Sequence, residues 1–170
     1  ASGGYLIACA GDEIYANSSS IVGSIGVISA SFGFQEAIKK IGIQRRVYTA
    51  GKNKSTLDPF KEEKEEDIER IKKLQLELHS DFIEVVKKSR GSKLKDPEKN
   101  NTFTGEFWSG STSIKLGLIA GIGNAEQILR EKFGEDIVIK KLEKQKSFIA
   151  KKLSSSIDNQ IDNIASVIEE

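Results

Sequence analysis

Apolar residues in this chain form short runs separated by glycine-containing and polar turns, a pattern typical of alternating strands and helices. The first third of the chain predicts two short helices, each closed by a glycine, Gly11 and Gly42. The helices are expected over residues 2–10 and 34–41, and strands over residues 13–17, 21–28 and 43–50. Strand, helix and strand at this spacing indicate an α/β fold with crossover connections.

A long amphipathic helix is predicted after Asp58-Pro59, because aspartate is a good N-cap and proline suits the first helical position. It runs to about Arg90, and Lys and Glu fill its outer faces as a solvated surface. Its apolar residues recur at spacings of three and four: Ile68, Ile71, Leu74, Leu78, Phe82 and Val85. Beyond it the pattern predicts helices over residues 111–116 and 124–133 and strands over residues 118–120 and 137–142.

The last segment predicts a C-terminal amphipathic helix over residues 144–170, following a core domain over residues 1–143. Its apolar stripe consists of Ile149, Leu153, Ile157, Ile161, Ile164 and Ile168. We expect this stripe to pack either on its own domain or on another subunit. A membrane-surface helix is the weaker reading, because such helices have a cationic polar face and this one carries Asp158, Asp162, Glu169 and Glu170.

Composition excludes several classes of function. The 26 Lys and Arg residues balance 25 Asp and Glu residues, which leaves a formal net charge of +1. The net charge therefore creates no electrostatic field that would attract nucleic acid or anionic lipid. A single cysteine excludes an internal disulfide, and a single histidine excludes a multi-histidine metal site. No apolar run approaches the ~20 residues of a membrane span. We expect neither a metal nor an organic cofactor.

The most informative segment for chemistry is Ala1-Ser2-Gly3-Gly4, which places a serine between small residues at the start of a helix. A substrate backbone can approach such a hydroxyl closely. The first N–H groups of a helix have no partner within it, so they can face a developing oxyanion. Ser2 is therefore a candidate nucleophile for acyl transfer.

A serine nucleophile needs a base, and the histidine and cysteine are poor candidates. His79 lies in the middle of the long helix and is interpreted as an ordinary surface or half-buried residue, while Cys9 is interpreted as core. A lysine can serve if desolvation keeps it neutral, at a cost of about 4 to 5 kcal/mol for a shift from ~10.4 to near 7. Lys52 and Lys54 are the candidates, because they lie in a loop without an acidic residue before Asp58.

Four segments resemble, in order and spacing, the signal peptide peptidase A and SohB family of serine proteases. They are Ala1–Tyr5, Val22–Val27, Thr49–Lys54, and Gly105–Gly110 with Lys115–Ile119. The resemblance implies a ClpP/crotonase-like fold, a spiral of ββα units. It also implies a serine endopeptidase that cleaves apolar peptides such as remnant signal peptides.

The same resemblance implies a role for each matching residue. Ser2 is the nucleophile, and Lys54 is the general base because it follows the loop glycine Gly51 by three residues, with Lys52 as the alternative. Ser24 orients the lysine amine, or is simply a turn hydroxyl bonded to backbone. Gly3 donates its N–H to the oxyanion.

The resemblance further implies a homo-oligomer in which serine and lysine come from neighbouring protomers. It implies a membrane-associated, extracytoplasmic setting, on the periplasmic side of a bacterium, through a segment upstream of Ala1. The family's second oxyanion donor also lies upstream of the nucleophile. Two alternatives of other classes are a non-catalytic membrane-associated scaffold of the same fold and a crotonase-like acyl-CoA enzyme.

Overall fold

The computed structural model describes residues 1–140 and shows short helices and strands alternating along the chain. The helices are α1 Gly3–Ala8, α2 Gln35–Lys40, α3 Glu65–Arg90, α4 Gly110–Lys115 and α5 Ala125–Phe133, with a single 3-10 turn at Gly91–Lys93. The strands are β1 Tyr15–Ala16, β2 Ile21–Gly23, β3 Phe107–Ser109 and β4 Gly121–Ile122. The predicted α/β class is confirmed.

The strands form two pairs that join distant parts of the chain. β1 pairs with β4 in parallel, with Tyr15 opposite Gly121. β2 pairs with β3 in antiparallel register, with Val22 opposite Trp108. Parallel neighbours require a crossover connection, so the long stretch containing α3 links β1 to β4.

The core forms where α1, the end of β2, the second half of α3 and the segment after α4 meet. Its buried apolar side chains are Tyr5, Cys9, Ile14, Val22, Ile25, Phe82, Val86, Leu116, Leu118 and Ile119. Full burial of a large apolar side chain contributes about 1.5 to 3 kcal/mol. Hydrophobic packing therefore holds the start of the chain and the end of β2 in one place.

Hydrogen bonds fix the orientation of α1 within this core. The Tyr5 hydroxyl donates to the Leu118 carbonyl at 2.7 Å, and the Ser89 hydroxyl donates to the Cys9 carbonyl at 2.6 Å. Arg90, only 2% exposed, donates from Nη2 to the Gly11 carbonyl at 3.2 Å. Because the last carbonyls of a helix have no partner within it, the end of α3 caps the end of α1.

Helix α3 begins later than predicted, because Asp58 and Pro59 build a turn instead of a helix start. The Asp58 carboxylate accepts the Phe60 N–H at 3.1 Å, and the Asp58 carbonyl accepts the Lys61 N–H at 3.0 Å. Arg45 also pairs with this carboxylate at 3.3 Å. Asp58 is therefore committed to a local turn, and the helix starts at Glu65.

Several predicted strands are wrong or shortened. Residues 43–50 alternate well but form no strand, since among the described residues no neighbouring strand satisfies their backbone groups. The strand predicted over 21–28 ends at Gly23, and the one predicted over 118–120 is replaced by β4. Residues 137–140 form no strand.

A first compact unit comprises Ala1–Lys132, and a second begins at Phe133. The predicted boundary between residues 143 and 144 stays a prediction. The predicted C-terminal helix over residues 144–170 lies outside the described residues. Within residues 1–140, no helix is both long enough and apolar enough to cross a membrane.

Candidate active site

Ser2 occupies a strained backbone turn directly before α1. Its φ of 52° and ψ of −133° fall outside the regions that non-glycine residues commonly adopt. Such a conformation costs about 1 to 3 kcal/mol and persists only where surrounding contacts enforce it. Here the Ser2 N–H donates to the Gly23 carbonyl at 2.8 Å, and the Ser2 carbonyl accepts the Leu6 N–H at 3.0 Å.

The Ser2 hydroxyl is exposed and makes no capping hydrogen bond with the helix that follows it. A Cβ atom added to Gly3 or Gly4 would meet no atom within 4 Å, so the space at the two residues that follow Ser2 is open. In the described part of the chain, the Gly3 N–H has no acceptor. The hydroxyl and this N–H are thus both available to a ligand.

Ser24 lies at the end of β2, next to the residue that holds Ser2. Its φ of 53° is again unusual for a residue with a side chain. The Ser24 N–H donates to the Glu106 carbonyl at 2.6 Å, and the Ser24 carbonyl accepts the Gly26 N–H at 3.0 Å, which closes a three-residue γ-turn. The structure therefore brings the predicted nucleophile and the predicted orienting serine to the same place through Gly23.

Gly23 is required at this junction. Its φ is +97°, and a Cβ atom there would lie 2.8 Å from the Trp108 ring and 2.9 Å from the Glu106 carbonyl oxygen. A larger residue would push β2 away from β3. The segment around Trp108, one of the four that carry the family resemblance, is thus packed against the strand end that positions Ser2.

The predicted base is not assembled with these serines by hydrogen bonding. Lys54 lies in a turn in which its N–H donates to the Gly51 carbonyl at 3.2 Å. Lys52 and Lys54 are both exposed. Within residues 1–140, the Lys54 amine forms neither a hydrogen bond nor an ion pair, and no hydrogen bond links it to Ser2. The choice between Lys54 and Lys52 stays a prediction.

Sequence reasoning missed two residues that support the site. His79 places its Nε2 atom 3.0 Å from the Ile25 carbonyl oxygen, a contact across 54 positions that no spacing pattern reveals. Arg90 could be recognised as a basic residue in the last turn of α3, but not as the cap of α1. The interpretation of Cys9 as core is confirmed, and burial raises the pKa of its thiol.

A family model and several curated relatives indicate the same peptidase family for this chain. The sequence model of peptidase family S49 matches residues 1–136. The probable protease SohB of Buchnera aphidicola subsp. Schizaphis graminum (strain Sg) is 32% identical over 99% of this chain and 47% of its own length. The probable protease SohB of Haemophilus influenzae is 30% identical over 96% of this chain and 45% of its own length.

A Brucella abortus (strain 2308) protein carrying the name Na(+)/H(+) antiporter NhaA is 57% identical over 90% of this chain, but the match occupies 20% of that protein. The chain spans about half or less of the length of these curated relatives. The family match includes every segment that carries Ser2, Ser24 and Lys54. The chain therefore belongs to peptidase family S49.

Proposed function

We propose that the protein is a serine endopeptidase that uses a Ser/Lys dyad, with Ser2 as the nucleophile and Lys54 as the general base. The observation that carries the proposal is the strained, hydrogen-bonded backbone of Ser2 beside Gly23 and Ser24, in a chain of a peptidase family. Strain of this kind clusters at active sites. On the resemblance described above, we extend the α/β fold to a ClpP/crotonase-like spiral of ββα units.

The proposed reaction has two halves. In the first, the Ser2 hydroxyl attacks the peptide carbonyl while neutral Lys54 takes its proton; the C–N bond then breaks, and the protonated lysine returns that proton to the leaving amine. In the second, Lys54 takes a proton from water, which attacks the acyl ester. The C–O bond to Ser2 breaks, the Ser2 oxygen regains a proton from the lysine, and the carboxylic acid product leaves.

Gly3 and Ser24 support these steps. The unpaired Gly3 N–H is suited to donate to the oxyanion of the tetrahedral intermediate, where a removed donor typically costs 10²–10³ in rate. The Ser24 hydroxyl orients the lysine amine toward Ser2. Its half-buried position beside the Ser2 anchor supports this role.

We infer that the lysine reaches the serine across an interface between copies of the chain. Lys54 is exposed, and a neutral amine requires removal from water. The segment between Ser24 and Lys54 also exposes large apolar side chains, with Tyr48 92%, Ile28 87% and Phe32 78% exposed. A neighbouring protomer packed on this segment would bury these side chains and desolvate the amine together.

The substrate class and setting are proposed from the family resemblance. We expect apolar peptides such as remnant signal peptides to be cleaved, at the extracytoplasmic side of a bacterial membrane. The open space at Gly3 and Gly4 supports approach of an extended peptide backbone to Ser2. The proposed chemistry uses only side-chain and backbone groups.

Labelling of Ser2 in the full-length protein tests the dyad. A fluorophosphonate probe followed by intact mass and peptide mapping should give a single adduct on Ser2, absent in Ser2→Ala. Lys54→Ala should lose labelling, and the matched control Lys52→Ala should retain it. Labelling lost in Lys52→Ala and kept in Lys54→Ala would make our base assignment wrong. Failure to label the unmodified protein would favour the non-catalytic scaffold.

Mixing two inactive variants tests the shared site. If serine and lysine come from different protomers, co-assembly of Ser2→Ala with Lys54→Ala should restore part of the labelling, because some interfaces then carry both residues. A stable monomer with full activity in size-exclusion chromatography with light scattering would refute the shared site.

A further inference from the structure

The turn that carries Ser24 is held through three consecutive carbonyl groups, each with a different partner. The Gly23 carbonyl accepts the Ser2 N–H at 2.8 Å, and the Ser24 carbonyl accepts the Gly26 N–H at 3.0 Å. The third, the Ile25 carbonyl, lies 3.0 Å from His79 Nε2 on α3. The partners therefore belong to the residue that precedes α1, to the turn itself and to the long helix α3.

We propose that His79 is a positioning residue, which donates its Nε2–H to the Ile25 carbonyl and thereby holds the Ser24 turn in its active shape. The inference rests on the proposed function, in which Ser24 orients the lysine amine. It assigns a role to the sole histidine of the chain, outside the serine and lysine that perform the chemistry.

The turn needs such a support because it begins at a strained residue. Ser24 has a φ of 53°, a region that residues with a side chain rarely adopt, and such a conformation persists only where surrounding contacts enforce it. The Ile25 side chain is fully buried, which pins one side of the turn to the core. The Ile25 carbonyl belongs to this same buried residue and has His79 as its partner, and a buried carbonyl is costly when unpaired.

His79 is well placed to act as a rigid support. It is half-buried on α3, a helix of 26 residues whose second half is anchored in the core by Phe82 and Val86. A carbonyl accepts only from a protonated nitrogen, so the contact requires the proton on Nε2. The hydrogen bond from His79 thus fixes the position of the Ser24 turn relative to α3, the longest helix among the described residues.

A matched control is available on the same helix. Gln75 lies one turn before His79, and both line a cavity of about 350 Å³ together with Val27, Lys72 and Leu76. The Gln75 side chain makes no hydrogen bond within the described residues. Gln75→Leu therefore removes a polar group from this cavity without removing a bond to the turn.

The experiment compares His79→Leu, His79→Gln and Gln75→Leu in the full chain by NMR and by labelling of Ser2. The single imidazole should show a hydrogen-bonded Nε2–H. His79→Leu should shift the amide signals of Ser24 and Gly26 and slow labelling by about ten- to a hundredfold, the effect expected of a misplaced catalytic group. With a peptide substrate, kcat should fall while KM changes little.

Two control variants complete the experiment. His79→Gln keeps a hydrogen-bond donor and should restore most of the rate. Gln75→Leu should label at the rate of the unmodified protein.

Three results would overturn the inference. Unchanged Ser24 and Gly26 signals in His79→Leu would show that His79 does not hold the turn, whether or not the protein is active. A His79→Gln variant as slow as His79→Leu would show that the hydrogen bond is not the cause. Labelling of Ser2 at the normal rate in His79→Leu would show that the support of the turn by His79 is not needed for the reaction of Ser2. An unlabelled unmodified protein would instead refute the proposed function, and the amide signals would still decide whether His79 supports the turn.

Discussion

The backbone N–H of Ser2 donates a 2.8 Å hydrogen bond to the carbonyl oxygen of Gly23. This bond joins the start of α1 to the end of β2. The conformation of the proposed nucleophile therefore depends on how β2 ends, and that in turn depends on the Trp108 ring packed over Gly23.

Gly23→Ala should disturb both stability and the site. The new Cβ would meet the Trp108 ring at 2.8 Å and backbone at 2.9 Å, at a φ of +97° that alanine avoids. We expect a loss of about 1 to 3 kcal/mol in the free energy of unfolding, measured by urea titration, and slower labelling of Ser2. Gly33→Ala is the control, because a Cβ there meets nothing within 4 Å. Equal effects of the two substitutions would contradict this explanation.

Tyr5→Phe should destabilise the attachment of α1 to the core. It removes the buried 2.7 Å hydrogen bond to the Leu118 carbonyl and leaves that carbonyl without this donor. The expected loss in unfolding free energy is about 1 to 3 kcal/mol. Tyr48→Phe, at a side chain that is 92% exposed, should change it by less than about 0.5 kcal/mol. An unchanged free energy of unfolding in Tyr5→Phe would show that this hydrogen bond adds nothing to stability.

Stability should fall in alkaline solution because of Tyr5 and Cys9. Burial raises the pKa of both groups, so the folded chain keeps protons that the unfolded chain releases. Their contribution is complete below the unfolded pKa values, about 8.5 for Cys and about 10 for Tyr, and is lost as the pH rises beyond them.

Urea titrations across this range measure the effect. Cys9→Ala should flatten the first part of the decline, and Tyr5→Phe should flatten the second. An undiminished decline in the Cys9→Ala, Tyr5→Phe double variant would refute the assignment.

Arg90→Met should loosen the far end of α1. The guanidinium is 2% exposed and donates to the carbonyls of Gly11 and Asp12 at 3.2 and 3.5 Å. Because methionine keeps much of the packing but none of the donors, we expect a loss of about 1 to 3 kcal/mol in unfolding free energy. Arg46→Met is the matched control at an exposed arginine and should change stability by less than about 0.5 kcal/mol. Hydrogen exchange in α1 should accelerate only in Arg90→Met; equal exchange in both variants would count against the cap.

Local signals predicted several elements correctly. The pattern over residues 124–133 predicts a helix, and Asn124 caps α5 by accepting the Gln127 N–H at 2.9 Å. The short helices near residues 2–10, 34–41 and 111–116 also form, with ends displaced by a few residues. Side-chain caps from Ser109 and Asn124 define the starts of α4 and α5, and all four helices depend on spacings of a few residues, which neighbouring residues carry.

Strands were harder to predict. The alternation over residues 43–50 and the β-branched run over residues 21–28 both predict a strand, yet only Ile21–Gly23 is paired. Alternation describes which faces a strand would present, whereas pairing depends on a partner elsewhere in the chain. The partner of β2 comes from Phe107–Ser109, far along the sequence.

The sequence by itself determined the α/β class, the four segments that resemble a protease family and the residue types suited to its chemistry. Only the tertiary structure decided that Ser2 and Ser24 meet through Gly23, that α3 caps α1, and that His79 reaches the Ile25 carbonyl. Local spacing controls helix faces and caps, because those interactions span a few residues. Contacts across tens of residues depend on the path of the folded backbone, which no short pattern encodes.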